Sequence, residues 1–502
     1  MSEEPKRLSE LIAGINSIKI IGTKNPLIKG ITYDSRKVEP GYIFCCIKGE
    51  RLDGNDFISE AISRGAVSIL TKNVLHINVP IIESKNVRKT MGLLSSKFYD
   101  APSSKLKTFG ITGTKGKTTI SYLLYQALGG DSGKVCLSST VGMFYNNRYE
   151  YSFRTTPESP ELQFFLKDAL KDGCEYAVIE ISSHALSQDR TIGLELDIAG
   201  FTNLYAEHLE YHKDIDDYFK AKSKIIELIK ENGRLIVNID NNWGERLYNL
   251  SSQLSHIKVL SISSRKRADI RLSVLEAGKG GTTINITSDN YSVDLSSQIK
   301  GSFNIENIAM ASAILLESGC EPETVIEGLN KAVLPPGRME EVDVGQSFRV
   351  IIDYAHTPES IEMLLRLVKT EVKDGKLITV FGATGDRFKM KRPKFGKIIS
   401  ELSDIFIITT DDPYNENPID IASDVIKGVE AKRKHKVEII LERGRAIEKA
   451  LSIALSSDIV IIAGKGHERF IIYSDKKVPF SDREFTEKAL KRLMRRARTE
   501  RE

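Results

Sequence analysis

The stretch Lys107-Thr-Phe-Gly-Ile-Thr-Gly-Thr-Lys-Gly-Lys-Thr-Thr119 decides the fold. Lys107–Thr112 reads as an apolar strand, residues 113–116 as a glycine turn, and Thr118–Leu128 as an amphipathic helix. Gly113 and Gly116 let the backbone approach an anion closely. The helix that follows presents unpaired N–H groups and the positive end of its dipole, with Thr114, Lys115 and Thr119 alongside. Lys117 is placed to reach the β- and γ-phosphates of a nucleotide, and the Thr118 hydroxyl to ligate Mg²⁺. The spacing is not a strict Walker A, because Ile111 stands where that motif has its first glycine. The strand–loop–helix context still predicts a nucleotide site.

Outward from this loop, strand-like and helix-like segments alternate. Tyr176–Ile181, Ile198–Thr202 and Leu235–Val237 read as strands and Ile215–Lys230 as a helix, the pattern of a doubly wound, mainly parallel sheet. Residues 266–300 alternate polar and apolar, which suggests an antiparallel insert at the sheet edge. Beyond Pro335-Pro336-Gly337 the alternation resumes, with strands at Phe348–Ile352, Leu377–Phe381, Ile405–Thr409, Val437–Leu441 and Ile459–Ala463. Upstream, Tyr42–Ile47, Val67–Leu70 and Val79–Ile82 are strand-like, and the turn-rich Asp100–Ser104 closes that block. The 502 residues give a prior of about three domains. The expected fold class is α/β in three domains: an N-terminal α/β substrate-binding domain (1–103), a central P-loop-type doubly wound ATPase domain (104–336) and a C-terminal Rossmann-like domain (337–502).

Composition narrows the function classes. Seventy-two basic against 68 acidic residues, a net charge of +4, is too even to argue for nucleic acid. The basic run Lys488–Arg498 interleaves Leu490, Leu493 and Met494 at helical spacing, so it reads as the solvated face of a terminal helix. Five cysteines without a CxxC pair suggest a reducing compartment. The start, MSEEPKRLSE, does not read as a signal peptide, and no apolar run is long enough to span a bilayer. A cytoplasmic protein without membrane insertion or nucleic-acid partner is expected, as a monomer.

Two further segments carry oxygen and nitrogen ligands. Glu180 ends an apolar strand, where ligands sit in open α/β sheets, and suits a second Mg²⁺ or a helix cap. Asn203–His212 holds Glu207, His208, Glu210 and His212, either a metal cluster or a polar loop. Lys222 on the next helix reads, by itself, as part of a solvated face.

Together these pieces resemble the Mur ligases of peptidoglycan synthesis, over essentially the whole chain, and within them the ligases that add the third peptide residue. Asp34-Ser35-Arg36, Ile47-Lys48-Gly49 and Asp53–Phe57 resemble the uridine-nucleotide segments, and residues 113–119 the ATP loop. Thr155, Thr156, Ser183, Gln188 and Arg190 resemble contacts to the muramoyl substrate. Glu180, His208 and Lys222 match a metal site in which the lysine carries a CO₂-derived carbamate and so becomes an oxygen ligand. Asn304, Asn307, Arg338 and Asp353 resemble nucleotide contacts. Arg387, the run Asp411-Asp412-Pro413-Tyr414, Gly464 and Glu468 resemble the amino-acid pocket. Diaminopimelate-adding members carry Asp-Asn-Pro-Arg at 411–414, whose arginine holds a distal carboxylate. With Asp412 and Tyr414 there instead, the expected acceptor is a basic amino acid, lysine before ornithine, with diaminopimelate as the alternative; an arginine from a neighbouring loop would overturn this.

The resemblance implies ATP, two Mg²⁺ sites, a UDP-muramoyl dipeptide and an acyl phosphate formed before the amine attacks. It also implies closure of the third domain on the second, with a hinge at Gly337. Lys115, Glu207, Glu210 and Lys213 depart from the family pattern, where asparagine, aspartates and glycine are usual. A dipeptide-adding sister ligase, a folate polyglutamate ligase, a catalytically weakened nucleotide-binding protein and a nucleic-acid-stimulated ATPase are the competing readings.

Overall fold

The computed structural model describes residues 4–49, 52–74, 76–130, 133–152, 154–207, 211–278, 281–387, 389–474 and 476–499. The chain divides into two compact units, Met1–Val333 and Leu334–Glu502.

The first unit holds two large sheets. A five-stranded sheet runs in the order Ile18–Ile21, Ile81–Ser84, Ala66–Thr71, Tyr42–Cys45, Gly30–Thr32, parallel except for its first pair. Its strands are richly β-branched, and it packs against the helix Val87–Phe98 through Met91, Leu94 and Phe98. The second sheet has eleven strands. Its parallel core runs Val135–Ser139, Tyr176–Glu180, Lys107–Thr112, Leu196–Phe201, Ile229–Asn238, Lys258–Ser263, Ile270–Gly278. Antiparallel strands extend both edges, and the insert expected at 266–300 forms one of them. Val135–Ser139, Tyr176–Glu180, Lys107–Thr112 and Leu196–Phe201 are buried along nearly their whole length, which explains their continuous apolar runs.

This strand order positions the site. From Lys107–Thr112 the chain moves to one side of the sheet, returns beside it with Tyr176–Glu180, then crosses to the other side with Leu196–Phe201. The glycine loop therefore leaves the sheet where the winding direction reverses, the crevice that binds ligands in open α/β folds.

One expected element was wrong. The helix from Ile215 ends at Ser223, a 3₁₀ segment covers Lys224–Leu228, and Ile229–Asn238 is a strand. The β-branched Ile229, Ile236 and Val237, with Gly233 among them, favour extended pairing beside Leu196–Phe201 over a longer helix.

The second unit carries a six-stranded sheet in the order Glu340–Glu341, Arg349–Asp353, Ile459–Ala463, Leu377–Phe381, Ile405–Ile408, Val437–Ile439. All pairs but the first are parallel. Proline stands in the first turn of the helices Pro358–Lys369, Arg392–Leu402 and Pro418–Ile426, where its missing N–H is no loss. Gly337, in the segment expected to act as a hinge, is closely packed: its φ is 69°, and a Cβ there would lie 2.1 Å from the His467 nitrogen. Its role is close backbone approach within this unit.

Candidate functional site

The phosphate loop of the first unit is pinned from below by the segment after Leu196–Phe201. The Thr114 amide donates to the Asn203 carbonyl at 2.9 Å, and the Lys115 amide to Asn203 Oδ1 at 2.8 Å. Thr202 Oγ1 donates to the Lys115 carbonyl at 2.6 Å. Gly113, at φ 149°, has no room for a side chain, since a Cβ would meet Thr202 Oγ1 at 1.9 Å. Gly116, at φ 87°, caps the helix Lys117–Ala127 and would meet Asn307 Oδ1 at 2.3 Å. Asn307 thus packs on the loop, while Asn304 Nδ2 donates to the Lys300 carbonyl at 2.8 Å. The result is a rigid backbone cradle opening on a helix N-terminus, which fits a nucleotide phosphate.

Three lysines and two carboxylates converge on this cradle. Lys117 Nζ donates to the carbonyls of Gly113 (2.9 Å) and Thr114 (3.0 Å). Thr118 Oγ1 donates to Glu180 Oε1 at 3.0 Å, while the Thr140 amide holds Oε2 at 2.9 Å. A threonine hydroxyl beside a buried carboxylate is an all-oxygen donor pair, and it suits Mg²⁺. Lys222 Nζ donates to the Gly113 carbonyl at 2.6 Å and lies over the Tyr218 ring, with the side chain buried. Burial and then Lys117 push its amine well below the usual lysine range, against the pull of Glu207 and Glu180. The sequence reading of Lys222 as a solvated helix face is corrected here: the helix turns this residue inward beneath the loop. Lys115 is ion-paired with the buried Glu207, so two departures from the family pattern sit against one another. His208, with Glu210, lies outside the described residues. His212 is described: its Nε2 lies 3.1 Å from Ser183 Oγ, and its ring packs on Tyr218.

Beside the cradle, Thr156 Oγ1 donates to the Glu180 carbonyl at 2.8 Å, and Thr155 Oγ1 accepts from Thr140 at 3.0 Å. Gln188 reaches the Tyr211 hydroxyl at 3.0 Å and also pairs with Arg190. Thr155, Thr156, Ser183, Gln188 and Arg190 are therefore neighbours of the Glu180 strand end. In the first sheet, Ser35 Oγ donates to Glu60 at 3.0 Å, and Arg36 grips Asp34 through Nε and Nη2 at 2.9 and 2.8 Å. That grip holds the Asp34 carboxyl below its ordinary range.

In the second unit, Arg338 lies over the Tyr354 ring at 4.9 Å. Asp353 accepts from the amides of Met339 and Ala355, both at 2.7 Å. Nearby, Lys465, with no exposed surface, bridges Asp412 at 2.9 Å, Glu468 at 2.7 Å and Asp411 at 3.7 Å. Asp412 Oδ1 also accepts from the Ile472 amide. Gly385 and Gly464 allow close approach here, their added Cβ atoms falling 1.9 Å from the Pro413 carbonyl and 2.6 Å from Asp411 Oδ2. Burial, Asp411 and Asp412 raise the Glu468 carboxyl to about 7 against the pull of Lys465. Tyr414 takes a left-handed φ of 48°, and the Arg387 guanidinium stands over its ring at 5.8 Å.

This geometry corrects the acceptor argument. Asp412 was read as a counter-charge for a substrate ammonium, but its carboxylate is buried and engaged by Lys465. Arg387, already expected in the pocket, is the guanidinium that stands over the Tyr414 ring. Sequence reasoning placed the segment Gly464–Glu468 in the pocket but not the burial of Lys465, because a lysine in a glycine turn carries no signal of burial.

Residues 27–99, 111–315 and 337–466 match three family profiles in turn: Mur ligase family, catalytic domain; Mur ligase middle domain; and Mur ligase, glutamate ligase domain. The chain is 38% identical to UDP-N-acetylmuramoyl-L-alanyl-D-glutamate–2,6-diaminopimelate ligase 1 of Clostridium acetobutylicum, over 97% of this chain and all of that protein. It is 37% identical to the ligase of the same reaction name from Aquifex aeolicus, over 92% and 94% of the two chains. A solved UDP-N-acetylmuramoyl-L-alanyl-D-glutamate–2,6-diaminopimelate ligase superposes with a TM-score of 0.68 at 28% identity, over 98% of this chain and 100% of that one. MurF ligase of Thermotoga maritima in complex with ADP shares the fold, with a TM-score of 0.62 at 19% identity over 86% and 93%.

Proposed function

Given that this chain belongs to the Mur ligase family, we propose that it joins meso-diaminopimelate to UDP-N-acetylmuramoyl-L-alanyl-D-glutamate at the expense of ATP. The observation that carries the reading is the Thr118–Glu180 contact at 3.0 Å, at the mouth of a glycine-cradled loop with Lys117 and Lys222 beside it. The names of the relatives and the pairing of Asp412 with Lys465 favour diaminopimelate over the lysine or ornithine expected from Tyr414. Domain limits of 1–103, 104–336 and 337–502 for substrate, ATP and amino-acid binding accompany this reading.

In this mechanism a glutamyl carboxylate oxygen attacks the γ-phosphorus of ATP, forming an acyl phosphate as ADP leaves. The amine of the incoming amino acid attacks the acyl carbon, phosphate departs and the amine gives up a proton. Lys117 and the loop amides neutralise the phosphate oxygens, the main protein contribution to phosphoryl transfer. Asn304, Asn307, Arg338 and Asp353 contact the nucleotide. Asp34, Ser35, Arg36, Thr155, Thr156, Ser183, Gln188 and Arg190 hold the UDP-muramoyl substrate. Arg387 and Glu468 orient the amino acid, with Asp411, Asp412, Pro413, Tyr414 and Gly464 shaping its pocket. Mg²⁺, held by Thr118, Glu180, His208 and a carbamylated Lys222, would supply charge neutralisation for the triphosphate. Burial disfavours the charged form of the Lys222 amine, and an uncharged amine is the form that adds CO₂.

The test is phosphate release from ATP with the UDP-muramoyl dipeptide and diaminopimelate, lysine or ornithine in separate reactions with Mg²⁺ and bicarbonate. Release with diaminopimelate supports the reading. Release with lysine or ornithine alone overturns the acceptor assignment, and release with none overturns the ligase.

A further inference from the structure

Glu158, fully buried, is met by three guanidinium groups from three separate segments. Arg88 comes from the helix Val87–Phe98, Arg154 from the loop ahead of the helix Ser159–Lys171, and Arg190 from the turn after Ser183–Ser187. The nearest approaches are 3.4 Å for Arg88 Nε, 3.4 Å for Arg154 Nη1 and 3.2 Å for Arg190 Nε. Gripping charge-assisted pairs are shorter, about 2.7–2.9 Å, so these three surround the carboxylate without saturating it. The Nε atoms of Arg88 and Arg190 are buried and make no aligned hydrogen bond among the described residues.

Charge points the same way. Three cations against one carboxylate leave two positive charges in a partly desolvated place, beside the N-terminus of the thirteen-residue helix Ser159–Lys171. The acids next along the chain are engaged elsewhere: Glu161 with the Tyr33 hydroxyl at 2.8 Å, and Asp189 with Asn86 and Lys224. Burial, and mutual repulsion with Arg154 and Arg88, lower the Arg190 guanidinium from its ordinary range despite Glu158. An anion that joins such a partly buried excess of positive charge stabilises it. Arg154 adjoins Thr155, and Arg190 donates to the Thr156 carbonyl at 3.5 Å, so the cluster flanks the Thr156–Glu180 strand end.

We propose that Arg88 and Arg154, with Arg190, form a three-guanidinium cradle for an oxyanion of the UDP-muramoyl-peptide substrate, carboxylate or phosphate, with Glu158 as the buried post that spaces them. This rests on the ligase reading above. It adds Arg88, Arg154 and Glu158 to the substrate site, and it assigns them recognition without a chemical step.

The experiment uses the full chain with Arg88→Gln, Arg154→Gln and Arg154→Lys. It reads KM for the UDP-muramoyl dipeptide, KM for ATP, inhibition by UDP, and Tm. The cradle predicts that each glutamine variant raises the dipeptide KM about tenfold or more. ATP KM stays within about twofold, Tm is unchanged or higher because like charges are relieved, and Arg154→Lys recovers part of the loss. Weaker UDP inhibition in the same variants assigns the oxyanion to the diphosphate; unchanged UDP inhibition assigns it to a peptide carboxylate. An unchanged dipeptide KM, with or without a fall in Tm, reduces the cluster to a structural one and overturns the proposal. If the wild-type chain turns over no acceptor, the ligase reading fails by itself, and calorimetry with inorganic pyrophosphate, the phosphate loop being saturated with ADP, then decides the cradle. Binding lost in Arg154→Gln supports it; equal binding, or none to the wild type, overturns it.

Discussion

Asp412 Oδ1 lies 2.9 Å from Lys465 Nζ, and both side chains are withdrawn from solvent. A carboxylate held by a buried lysine, here one shared with Glu468 and Asp411, offers less to a substrate ammonium, because the lysine offsets part of its charge. Asp412→Asn should therefore leave the ratio of kcat/KM for diaminopimelate over lysine within about threefold of wild type. Lys465 keeps Glu468 at 2.7 Å in that variant, so the fold persists. A swing of the ratio toward diaminopimelate would return Asp412 to the pocket as an ammonium partner.

The same cluster predicts a pH response. Glu468 is raised to about 7, first by burial and then by Asp411 and Asp412, with Lys465 opposing. A carboxyl raised on folding binds a proton in the folded chain after the unfolded chain has lost it. Its contribution to stability is therefore most favourable below the ordinary glutamate value of 4.5, falls as pH rises from there to about 7, and is constant above. Thermal unfolding of wild type and Glu468→Gln should diverge over that window, the wild type losing Tm with rising pH relative to the variant. Parallel curves would place the cluster's proton elsewhere.

Lys115 and Glu207 are a pair whose members both differ from the family pattern. Glu207 is buried while the lysine side chain is about a quarter exposed, so the pair falls between surface and interior cases. Lys115→Asn should cost about 1–2 kcal/mol, most of it from the carboxylate left behind. Adding Glu207→Gln should return part of that loss, a coupling readable from a double-mutant cycle of urea unfolding. Additive single effects would make the contact incidental.

The parallel strands and the phosphate loop were legible in the chain because buried parallel strands read as unbroken apolar runs, and because a glycine-lysine turn after one of them has few other uses. The strand Ile229–Asn238 was legible only at Leu235–Val237; for its start, apolar residues at 225, 226, 228 and 229 suit a helix face as well as a strand, and the neighbouring Leu196–Phe201 decides between them. Ligand types were easier to read than burial. Lys222 and Lys465 look alike on paper, solvated lysines in polar company, and the fold buries both by bringing distant segments over them. The Glu158 cluster was invisible for the same reason, since Arg88, Arg154 and Arg190 are far apart in the chain.

Arg443 and Asp482 form a fully buried pair, with Nε to Oδ1 at 2.7 Å and Nη2 to Oδ2 at 2.6 Å. The guanidinium also donates to the carbonyls of Thr410 and Ala463, at 3.2 and 3.1 Å. Those carbonyls precede Asp411 and Gly464, so one side chain ties the start of the helix Asp482–Thr499 to both pocket turns. Arg443→Met removes the cation and leaves Asp482 buried without compensation, which should cost about 3–5 kcal/mol. Replacing both, as Arg443→Met with Asp482→Leu, should recover much of that stability, because an apolar pair carries no desolvation penalty. It should not recover the pocket, because the two carbonyls still lack their donor. The expected double variant is folded by calorimetry yet has a raised KM for the amino acid and an ordinary KM for ATP. Recovery of both stability and amino-acid KM would show that the turns hold their shape without Arg443.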